Sequence, residues 1–261
     1  MSYTETKDYW EGRALEMGVS PQATTNDYYM RQIEIRNLKH WLRRTGAATS
    51  HVGDVGCGNG YSTLELASEF PEFRFSGFDY SQSMIESANA LKAEQGIENV
   101  GFHVCDLTAD ELTGEFDVLM TDRVMINLPT WEEQAAAIDR IWRRLKPGGS
   151  YFMIENFTDG QTAFNAVRES FGLDEIPVRD HNLFIDKELL HVHIADKFDV
   201  VHFENISSVY YLVSRVVYSK ICQDNGDAPD YYDDHHKWAS MLPSAGDMGP
   251  IQLYVLSKNS S

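Results

Sequence analysis

The sequence predicts an α/β fold whose core is a doubly wound, mostly parallel sheet of seven strands. Along the middle of the chain, short apolar runs alternate with longer amphipathic runs, which is typical of a parallel sheet flanked by helices. A glycine-rich turn directly follows the first apolar run, and acidic residues close the second and third. The 261 residues, 43% hydrophobic and 24% charged, are enough for one large core, so we expect a single domain.

Each element has a start or stop signal in the sequence. Pro71 ends the helix after the first strand, while Ser81 and Gly96 are the expected N-cap and C-cap of the helix after the second. The predicted strands are 51–55, 73–79, 100–104, 116–120, 150–154, 198–203 and 251–256. The predicted helices are 62–70, 81–96, 130–145, 162–171, 186–195 and 209–221.

Two long segments, 157–185 and 207–249, interrupt the alternation of strands and helices. The first contains an irregular stretch at 176–183, and the second an aromatic-rich helix followed by a polar acidic loop. Long segments between sheet elements are usually lids or binding loops. We therefore expect both insertions to act as lids.

The charge composition argues against nucleic-acid and membrane partners. Lys and Arg total 22 against 40 Asp and Glu, and the net charge of -18 repels phosphate backbones and anionic lipids. No run of apolar residues is long enough to span a membrane, and the N-terminus lacks the apolar region of a signal peptide. Cys57, Cys105 and Cys222 are too widely spaced to indicate a disulfide framework or a zinc site. We expect a cytoplasmic protein, either a monomer or a homodimer.

The most informative stretch is 54–60, which follows a strand and precedes a helix. Gly56, Gly58 and Gly60 allow the backbone to turn sharply and to approach a ligand closely. Their spacing is GxGxG rather than the GxGxxG of dinucleotide binders. An NAD-dependent dehydrogenase is therefore an alternative that the spacing disfavours.

Acidic residues also end the next two strands. Asp79 ends the second strand, where a carboxylate can accept hydrogen bonds from both hydroxyls of a ribose. Asp106 ends the third strand, where it can accept a hydrogen bond from an adenine amine while Leu107 forms an apolar wall. A site for ribose and adenine without a phosphate cradle describes S-adenosylmethionine.

Five sequence blocks together resemble the class I S-adenosylmethionine-dependent methyltransferase family. They cover roughly residues 50–160 and occur in the family's order on the expected elements. The resemblance implies a Rossmann-like methyltransferase fold, an enzyme, and S-adenosylmethionine as its cofactor. The blocks are DVGCGNG at 54–60, GFDYSQSMI at 77–85, VCDL at 104–107, FDVLMTDRVMINL at 116–128 and LKPGGSYFMIE at 145–155.

The resemblance also implies roles for individual residues of these blocks. Asp54 and the glycine turn would surround the methionine part of the cofactor, Asp79 would hold the ribose, and Asp106 would bind the adenine amine. Tyr80 and Met84 would flank the adenine, and Thr121 would lie beneath the cofactor. The implied cofactor-binding residues are Asp54, Gly56, Cys57, Gly58, Gly60, Asp79, Tyr80, Met84, Cys105, Asp106, Leu107 and Thr121.

Residues 1–50 look like the helical cap that precedes the sheet in many small-molecule members of the family. Arg13 or Arg31 could pair with the cofactor carboxylate, and we assign Arg31 to the cofactor site. A solvated helix face explains either arginine equally well. The single domain then consists of this cap, a cofactor-binding core at 51–156, the two lids, and a last strand with a tail at 250–261.

Residues that bind the methyl acceptor are expected at the carboxyl ends of the strands and in the lids. Arg123 and Arg179 are candidate anion clamps, and His181 is a candidate base or hydrogen-bond donor. For each of these residues, an ion pair that ties lid to sheet is the alternative. The candidate catalytic residues are His181, Arg123 and Arg179. The candidate substrate-binding residues are Tyr28, Arg123, Arg179, His181, Asn182, Tyr211 and Arg215.

Two patterns suggest a metal site, but we predict none. Asp122 with Glu155 and Asn156 resembles the magnesium ligands of catechol-type methyltransferases, yet Glu155 can equally be a base or a lid anchor. The acidic run at 230–236 has no second cluster of ligands and is typical of a solvated loop.

The expected reaction is methyl transfer to a small-molecule acceptor. The favoured acceptor atom is an oxygen (hydroxyl, phosphate or phosphonate) of a sugar, polysaccharide precursor or natural product. The protein must then mainly align the acceptor with the S–CH₃ bond and exclude water. The alternatives are N-methylation of a small amine and a non-enzymatic regulatory subunit that binds the cofactor.

Overall fold

A computed structural model of the chain describes residues 3–46 and 49–259, so the ends of the predicted cap and tail lie outside the described residues. The described chain forms one seven-stranded sheet in the order β3-β2-β1-β4-β5-β7-β6. Neighbouring strands are parallel, except that β7 runs antiparallel to both β5 and β6. This confirms the predicted mostly parallel sheet. The strands are β1 His51–Val55, β2 Arg74–Asp79, β3 Val100–Val104, β4 Phe116–Asp122, β5 Leu145–Asn156, β6 Phe198–Glu204 and β7 Ile251–Lys258.

The helices cover both faces of the sheet and form the cap and the insertions. Helix α4 begins after Ser81, whose hydroxyl accepts a hydrogen bond from the backbone N–H of Met84, and ends at the left-handed Gly96, as predicted. The helices are α1 Tyr3–Met17, α2 Tyr28–Thr45, α3 Tyr61–Glu69, α4 Gln82–Gln95, α5 Trp131–Arg144, α6 Thr158–Ser170, α7 Lys187–Ile194, α8 Ser208–Tyr211, a π-helix at Leu212–Val217, α9 Tyr218–Asn225 and α10 Asp234–Met241.

The prediction of a loop throughout the end of the second insertion is wrong, because α10 forms there. Asp233 caps this helix by accepting a hydrogen bond from the backbone N–H of His235. His236 and Ala239, three positions apart, are buried. Because acidic residues surround this short buried face, the hydrophobic periodicity of the sequence did not indicate a helix here.

The core lies on both faces of the sheet, because successive side chains of a strand point in opposite directions. Phe152 and Ile154 of β5 pack with the residues of α2, α3 and α4. Tyr151 and Met153 pack on the other face with residues of α5 and α7. Within the described residues, no helix has the length and apolar character needed to span a membrane.

The sheet order also shows where a ligand can bind. The chain winds from β1 toward β2 and β3 in one direction and continues at β4 in the other, so that β1 and β4 are neighbours. In open α/β sheets such a switch point leaves a crevice at the carboxyl ends of the two strands.

Candidate cofactor and acceptor site

A cavity of about 590 Å³ lies at this crevice and receives residues from the strand ends, the N-terminal helices and both insertions. Most of the candidate residues predicted from the sequence therefore lie in one region of the structure. The predicted residues that line the cavity are Arg31, Asp54, Gly56, Cys57, Gly58, Asp79, Tyr80, Met84, Cys105, Leu107, Arg123, Arg179, His181, Asn182, Tyr211 and Arg215.

Four predicted residues do not line the cavity. Tyr28 is the first residue of α2 and remains partly exposed, with its ring against Tyr29. Gly60 precedes α3, and its backbone lies against the ring of Phe102. The other two, Thr121 and Asp106, have side chains that are bound to protein groups instead: the Thr121 hydroxyl lies 2.8 Å from the Tyr151 hydroxyl.

Asp106 is held by the N-terminal helix α1. Its carboxylate accepts hydrogen bonds from the hydroxyl of Tyr3 at 2.8 Å, from the ammonium of Lys7, and from the backbone N–H of Thr108 at 2.9 Å. Burial acts to raise the pKa of Asp106, but the hydrogen bonds from Lys7 and Thr108 outweigh it and lower the pKa to about 2. The neighbouring Cys105 and Leu107 line the cavity.

The glycine turn brings bare backbone to the cavity wall. Gly56 has a φ of 75° and Gly58 a φ of 53°, which glycine adopts most readily. A Cβ on Gly56 would lie 2.3 Å from a methyl of Val124, and one on Gly58 would lie 2.5 Å from the methyl of Thr24. A side chain at either position would therefore clash with Val124 or Thr24 at the cavity wall.

Asp79 is fixed beside this turn. One carboxylate oxygen accepts a hydrogen bond from the backbone N–H of Gly58 at 2.9 Å, and the other accepts one from Ser81 at 2.9 Å. Burial raises the pKa of Asp79 to about 6, so the group is ionised at neutral pH. Each oxygen keeps one further acceptor position, as a ribose diol requires.

Asp54 lies deeper, at the end of β1. It accepts a hydrogen bond of 2.5 Å from the hydroxyl of Thr63 in α3. Burial raises its pKa to about 7. Asp54 therefore joins β1 to α3 beneath the glycine turn, as well as lining the cavity.

The irregular part of the first insertion meets α1 at the other side of the cavity. The imidazole of His181 stacks on the ring of Tyr9 at 4.7 Å. Burial lowers the pKa of His181, and the nearby Arg179 acts in the same direction, so the ring is neutral at physiological pH. Asn127, in the short helical turn after β4, accepts hydrogen bonds from Trp10 at 3.0 Å and from Asn182 at 3.5 Å.

Arg179 is the exposed cation of this region. Its side chain reaches the cavity, and among the described residues its guanidinium has no carboxylate within 4.0 Å. The ion-pair alternative therefore finds no partner for Arg179 within the described part of the chain.

Arg123, in contrast, forms the ion pair that was the alternative to an anion clamp. Its Nε lies 3.0 Å from Oε1 of Glu34, and its Nη2 donates to Oε2 of the same carboxylate at 3.0 Å. Asp122 lies 3.5 Å from Nε. Glu34, which sequence reasoning missed, is fully buried on the stripe of α2 that also carries Met30 and Leu38. A charged residue on an apolar stripe with a spacing of four is the signal that could have found it.

Glu155 anchors the loop after β4, rather than one of the two lids. Its Oε1 accepts hydrogen bonds from the backbone N–H groups of Val124 at 3.0 Å and Met125 at 3.1 Å. Burial raises its pKa to about 8. Among the described residues, no three His, Cys, Asp or Glu side chains are grouped closely enough to hold a metal ion.

Arg215 on the π-helix is bound within the protein rather than free. Its Nη2 donates to Asp27 at 2.5 Å, its Nη1 lies against Nε2 of His236, and its guanidinium stacks over the ring of Tyr231 at 4.1 Å. His236 is fully buried, which corrects the prediction of a solvated loop at 230–236. Asp27 also accepts a hydrogen bond from Tyr210 at 2.5 Å, so of the two adjacent tyrosines only Tyr211 lines the cavity.

Comparison with known proteins identifies the central part of the chain. Residues 48–176 match the family described as a methyltransferase domain. This central part of the chain therefore belongs to the class I S-adenosylmethionine-dependent methyltransferase family. A trans-aconitate 2-methyltransferase of Deinococcus radiodurans is 35% identical over 100 residues, or 38% of this methyltransferase and 35% of that protein. A malonyl-[acyl-carrier protein] O-methyltransferase of Bacillus cereus is 22% identical over 186 residues, which cover 67% of each chain.

Solved structures share the fold of this methyltransferase over nearly its whole length. The magnesium protoporphyrin IX methyltransferase of Synechocystis, with bound S-adenosylhomocysteine, has a TM-score of 0.64 at 16% identity and covers 99% of this chain and 100% of its own. The [4+2]-cyclase SpnF has the same TM-score of 0.64 at 21% identity and covers 100% and 97%. The predicted Rossmann-like methyltransferase fold and the cofactor, S-adenosylmethionine, are confirmed.

Proposed function

We propose that this methyltransferase transfers a methyl group from S-adenosylmethionine to an oxygen of a small anionic acceptor, most suitably a carboxylate. The observation that carries the proposal is the position of Arg179. This exposed guanidinium, without a carboxylate partner among the described residues, lines the same cavity as Asp79 and the glycine turn.

The cavity residues fit the proposed cofactor. The backbone of Gly56 and Gly58 lines the cavity directly, and Asp79 keeps two free acceptor positions for the ribose hydroxyls. Tyr80 and Met84 offer apolar surface beside it. When bound, S-adenosylmethionine supplies an electrophilic methyl group on a sulfonium.

The arginines of the cavity support an acceptor that carries negative charge. Among the described residues, two of the arginines that line it have carboxylate partners: Arg123 with Glu34 and Arg215 with Asp27. Arg31 donates to the carbonyl of Pro21 and the hydroxyl of Thr24, which touches the glycine turn. Arg31 is thus suited to the cofactor carboxylate. Arg13 also lines the cavity, but its guanidinium donates to the carbonyls of Gln22 at 2.7 Å and Ala23 at 3.4 Å, so Arg179 is left for the acceptor.

An anionic oxygen needs no general base, because it is already nucleophilic. The oxygen attacks the methyl carbon, the S–CH₃ bond breaks, and the electron pair of that bond neutralises the sulfonium, so no proton is released. The residues of the cavity then have to align the acceptor and exclude water. Tyr9, Trp10 and the first insertion are placed to do so, since they close over the cavity together.

The names of two relatives support a carboxylate in particular. Trans-aconitate and the malonyl group both carry free carboxylates, and both proteins are named as methyltransferases. Because the first of these alignments covers only 35% of the relative, the acceptor of this chain remains our proposal. The fold alone does not decide the reaction, because a [4+2]-cyclase shares it.

The test is a comparison of acceptors and variants on the purified protein. Calorimetry with S-adenosylhomocysteine, with NADH in parallel, first establishes cofactor binding. Trans-aconitate, malonate, a hydroxylated sugar and a small amine are then incubated with S-adenosylmethionine, and methylated products are detected by mass spectrometry. Methylation of the sugar or the amine, but of neither carboxylate, would refute the proposed acceptor class.

Arg179→Gln gives the matching residue test. We expect the KM for the carboxylate to rise at least tenfold while the affinity for S-adenosylhomocysteine stays within about twofold. Arg144→Gln is the control, because Arg144 is a surface residue of α5 that pairs with Glu111. Equal effects of the two substitutions would remove Arg179 from the acceptor site. The cytoplasmic location, the monomeric or dimeric state, the absence of nucleic-acid partners and the domain boundaries remain predictions.

A further inference from the structure

Glu34 and Arg123 form a close, buried ion pair. Nη2 of Arg123 donates to Oε2 of Glu34 at 3.0 Å, and Nε lies 3.0 Å from Oε1, although neither Nε nor Oε1 has a hydrogen-bond partner among the described residues. The hydrogen bond and the second close contact hold the guanidinium beside the carboxylate. Glu34 has no solvent exposure and does not line the cavity, whereas Arg123 does.

The backbone of Arg123 is fixed as well. Among the described residues that are not glycine, Arg123 alone has a positive φ, 57°. Its N–H donates to the carbonyl of Ile154 at 2.8 Å, and Glu155 accepts hydrogen bonds from the next two backbone N–H groups. An uncommon backbone conformation persists where the surroundings determine it, and such positions cluster at functional sites.

This arrangement leaves one end of the guanidinium free. Nη1 has a single long contact, 3.4 Å to the hydroxyl of Thr25, and the side chain is partly open to the cavity. Arg123 therefore offers the cavity N–H groups of fixed direction. The carboxylate of Glu34, at 3.0 Å, and more distantly that of Asp122, at 3.5 Å from Nε, lie beside this guanidinium and offset its positive charge.

We propose that Glu34 is a positioning residue of the acceptor subsite, which cancels the charge of Arg123 and orients its Nη1 as a directional donor. The inference rests on the proposed function for the identity of the ligand. Under this proposal, Arg123 is part of a neutral pair rather than an anion clamp. A second uncompensated cation at Arg123, added to that of Arg179, would hold the nucleophilic oxygen more tightly before reaction and make it less reactive, whereas a neutral donor aligns it without that cost.

Inorganic phosphate is a probe for this charge balance that requires no methyl transfer. The proposed pair requires the ionised form of Glu34, and burial raises the pKa of this group. The phosphate affinity is therefore measured by calorimetry on the S-adenosylhomocysteine complex at constant ionic strength and at pH 9, where the carboxylate is ionised. Glu34→Gln removes the compensating charge, so we expect it to bind phosphate at least tenfold more tightly than the wild type. The gain should disappear in the double variant Glu34→Gln with Arg123→Gln.

Two controls separate charge from packing. Glu65→Gln removes a surface carboxylate of α3 that lies 3.3 Å from the ammonium of Lys39 on α2, the helix that carries Glu34, and it should leave phosphate affinity unchanged. If Glu34→Gln fails to fold, the double variant Glu34→Gln with Arg123→Gln, which removes both charges, decides the point. Phosphate affinity within about threefold of the wild-type value supports a neutral pair, and a larger loss overturns it.

Kinetics with the methylated carboxylate provide a second readout. For Glu34→Gln we expect both KM and kcat to fall, because the exposed cation binds the acceptor before the transition state. A substitution that merely loosened the structure would raise KM. If the wild type binds S-adenosylhomocysteine but methylates no anionic acceptor, the proposed function fails, while the phosphate titration still decides the role of Glu34.

Discussion

Replacement of Asp79 by asparagine is the sharpest test of the cofactor site. Both oxygens of Asp79 are held by backbone N–H groups, those of Gly58 and Ser81, each at 2.9 Å. A carboxylate has about four acceptor positions, so two remain for the ribose hydroxyls. Asparagine removes the charge, keeps a single oxygen, and turns its amide N–H toward a backbone donor or toward the ribose.

The expected loss of binding free energy follows from these contacts. A hydrogen bond to a charged group contributes about 1.5–3 kcal/mol, and a neutral oxygen still provides part of that free energy. We therefore expect Asp79→Asn to weaken binding of S-adenosylhomocysteine by about 1–3 kcal/mol, which is roughly 5- to 150-fold in Kd. Measurement at pH 7.5 keeps the wild-type carboxylate ionised, since burial raises its pKa only to about 6.

The assay is isothermal titration calorimetry with S-adenosylhomocysteine, accompanied by urea unfolding without ligand. Asp117→Asn is the matched control, because Asp117 also accepts a hydrogen bond from a backbone N–H, that of His51 at 2.8 Å, but lies outside the cavity. Both variants should lose stability, and only Asp79→Asn should lose cofactor affinity. A Kd for Asp79→Asn within twofold of the wild-type value would refute the ribose assignment.

Three further predictions concern the glycine turn and two buried groups. Gly58→Ala should abolish measurable binding of S-adenosylhomocysteine, because its Cβ would lie 2.5 Å from the methyl of Thr24. Gly172 also has a positive φ but has open space around it. Gly172→Ala should therefore lose only about 1 kcal/mol of unfolding free energy in urea. Burial, reinforced by Arg215, lowers the pKa of His236 to about 4. The unfolding free energy of the wild type should therefore fall by roughly 1–3 kcal/mol between pH 6.5 and 4, because the unfolded chain takes up the proton. In urea unfolding across that range, His236→Gln should not show this part of the loss. Burial raises the pKa of Glu155 to about 8, so the folded state retains a proton that the unfolded chain loses near pH 4.5. Glu155→Gln mimics the protonated acid, so its unfolding free energy relative to the wild type, measured in urea, should be higher at pH 8.5 than at pH 5. A difference between variant and wild type that does not change with pH would contradict the assignment.

The sequence predicts this site well where local rules determine position. The carboxyl ends of neighbouring parallel strands meet at one edge of a sheet, so Asp54, Asp79 and Arg123 could be brought together from the strand assignments alone. The caps of α4 were equally predictable, since Ser81 and Gly96 act within their own helix. These predictions depend on hydrogen bonds and dihedral angles that neighbouring residues impose.

The partners of the site residues depend on contacts that no local rule specifies. Glu34 meets Arg123 because α2 crosses the sheet at the height of the β4 end, and Asp27 meets Arg215 because the second insertion folds back over the start of α2. For Arg123 the sequence could therefore state two alternatives, an anion clamp or an ion pair, without choosing between them, and for Arg215 it predicted substrate binding and gave no sign of the ion pair with Asp27. Asp106 shows the same limit, because Tyr3 and Lys7 reach it from α1, far away in the sequence.

The charge of the whole molecule sets a further condition on an anionic acceptor. The chain carries a net charge of -18, so a carboxylate approaches against repulsion, and the arginines of the cavity act mainly within the screening length of roughly 8 Å at physiological ionic strength. Added salt should screen the long-range repulsion more strongly than the short contact with Arg179. We therefore expect the association rate constant of a carboxylate acceptor, measured by stopped flow on the S-adenosylhomocysteine complex, to rise between about 20 and 200 mM salt, opposite to ordinary attractive steering. A rate constant that falls over this range would show that the local cations, rather than the acidic surface, govern the approach.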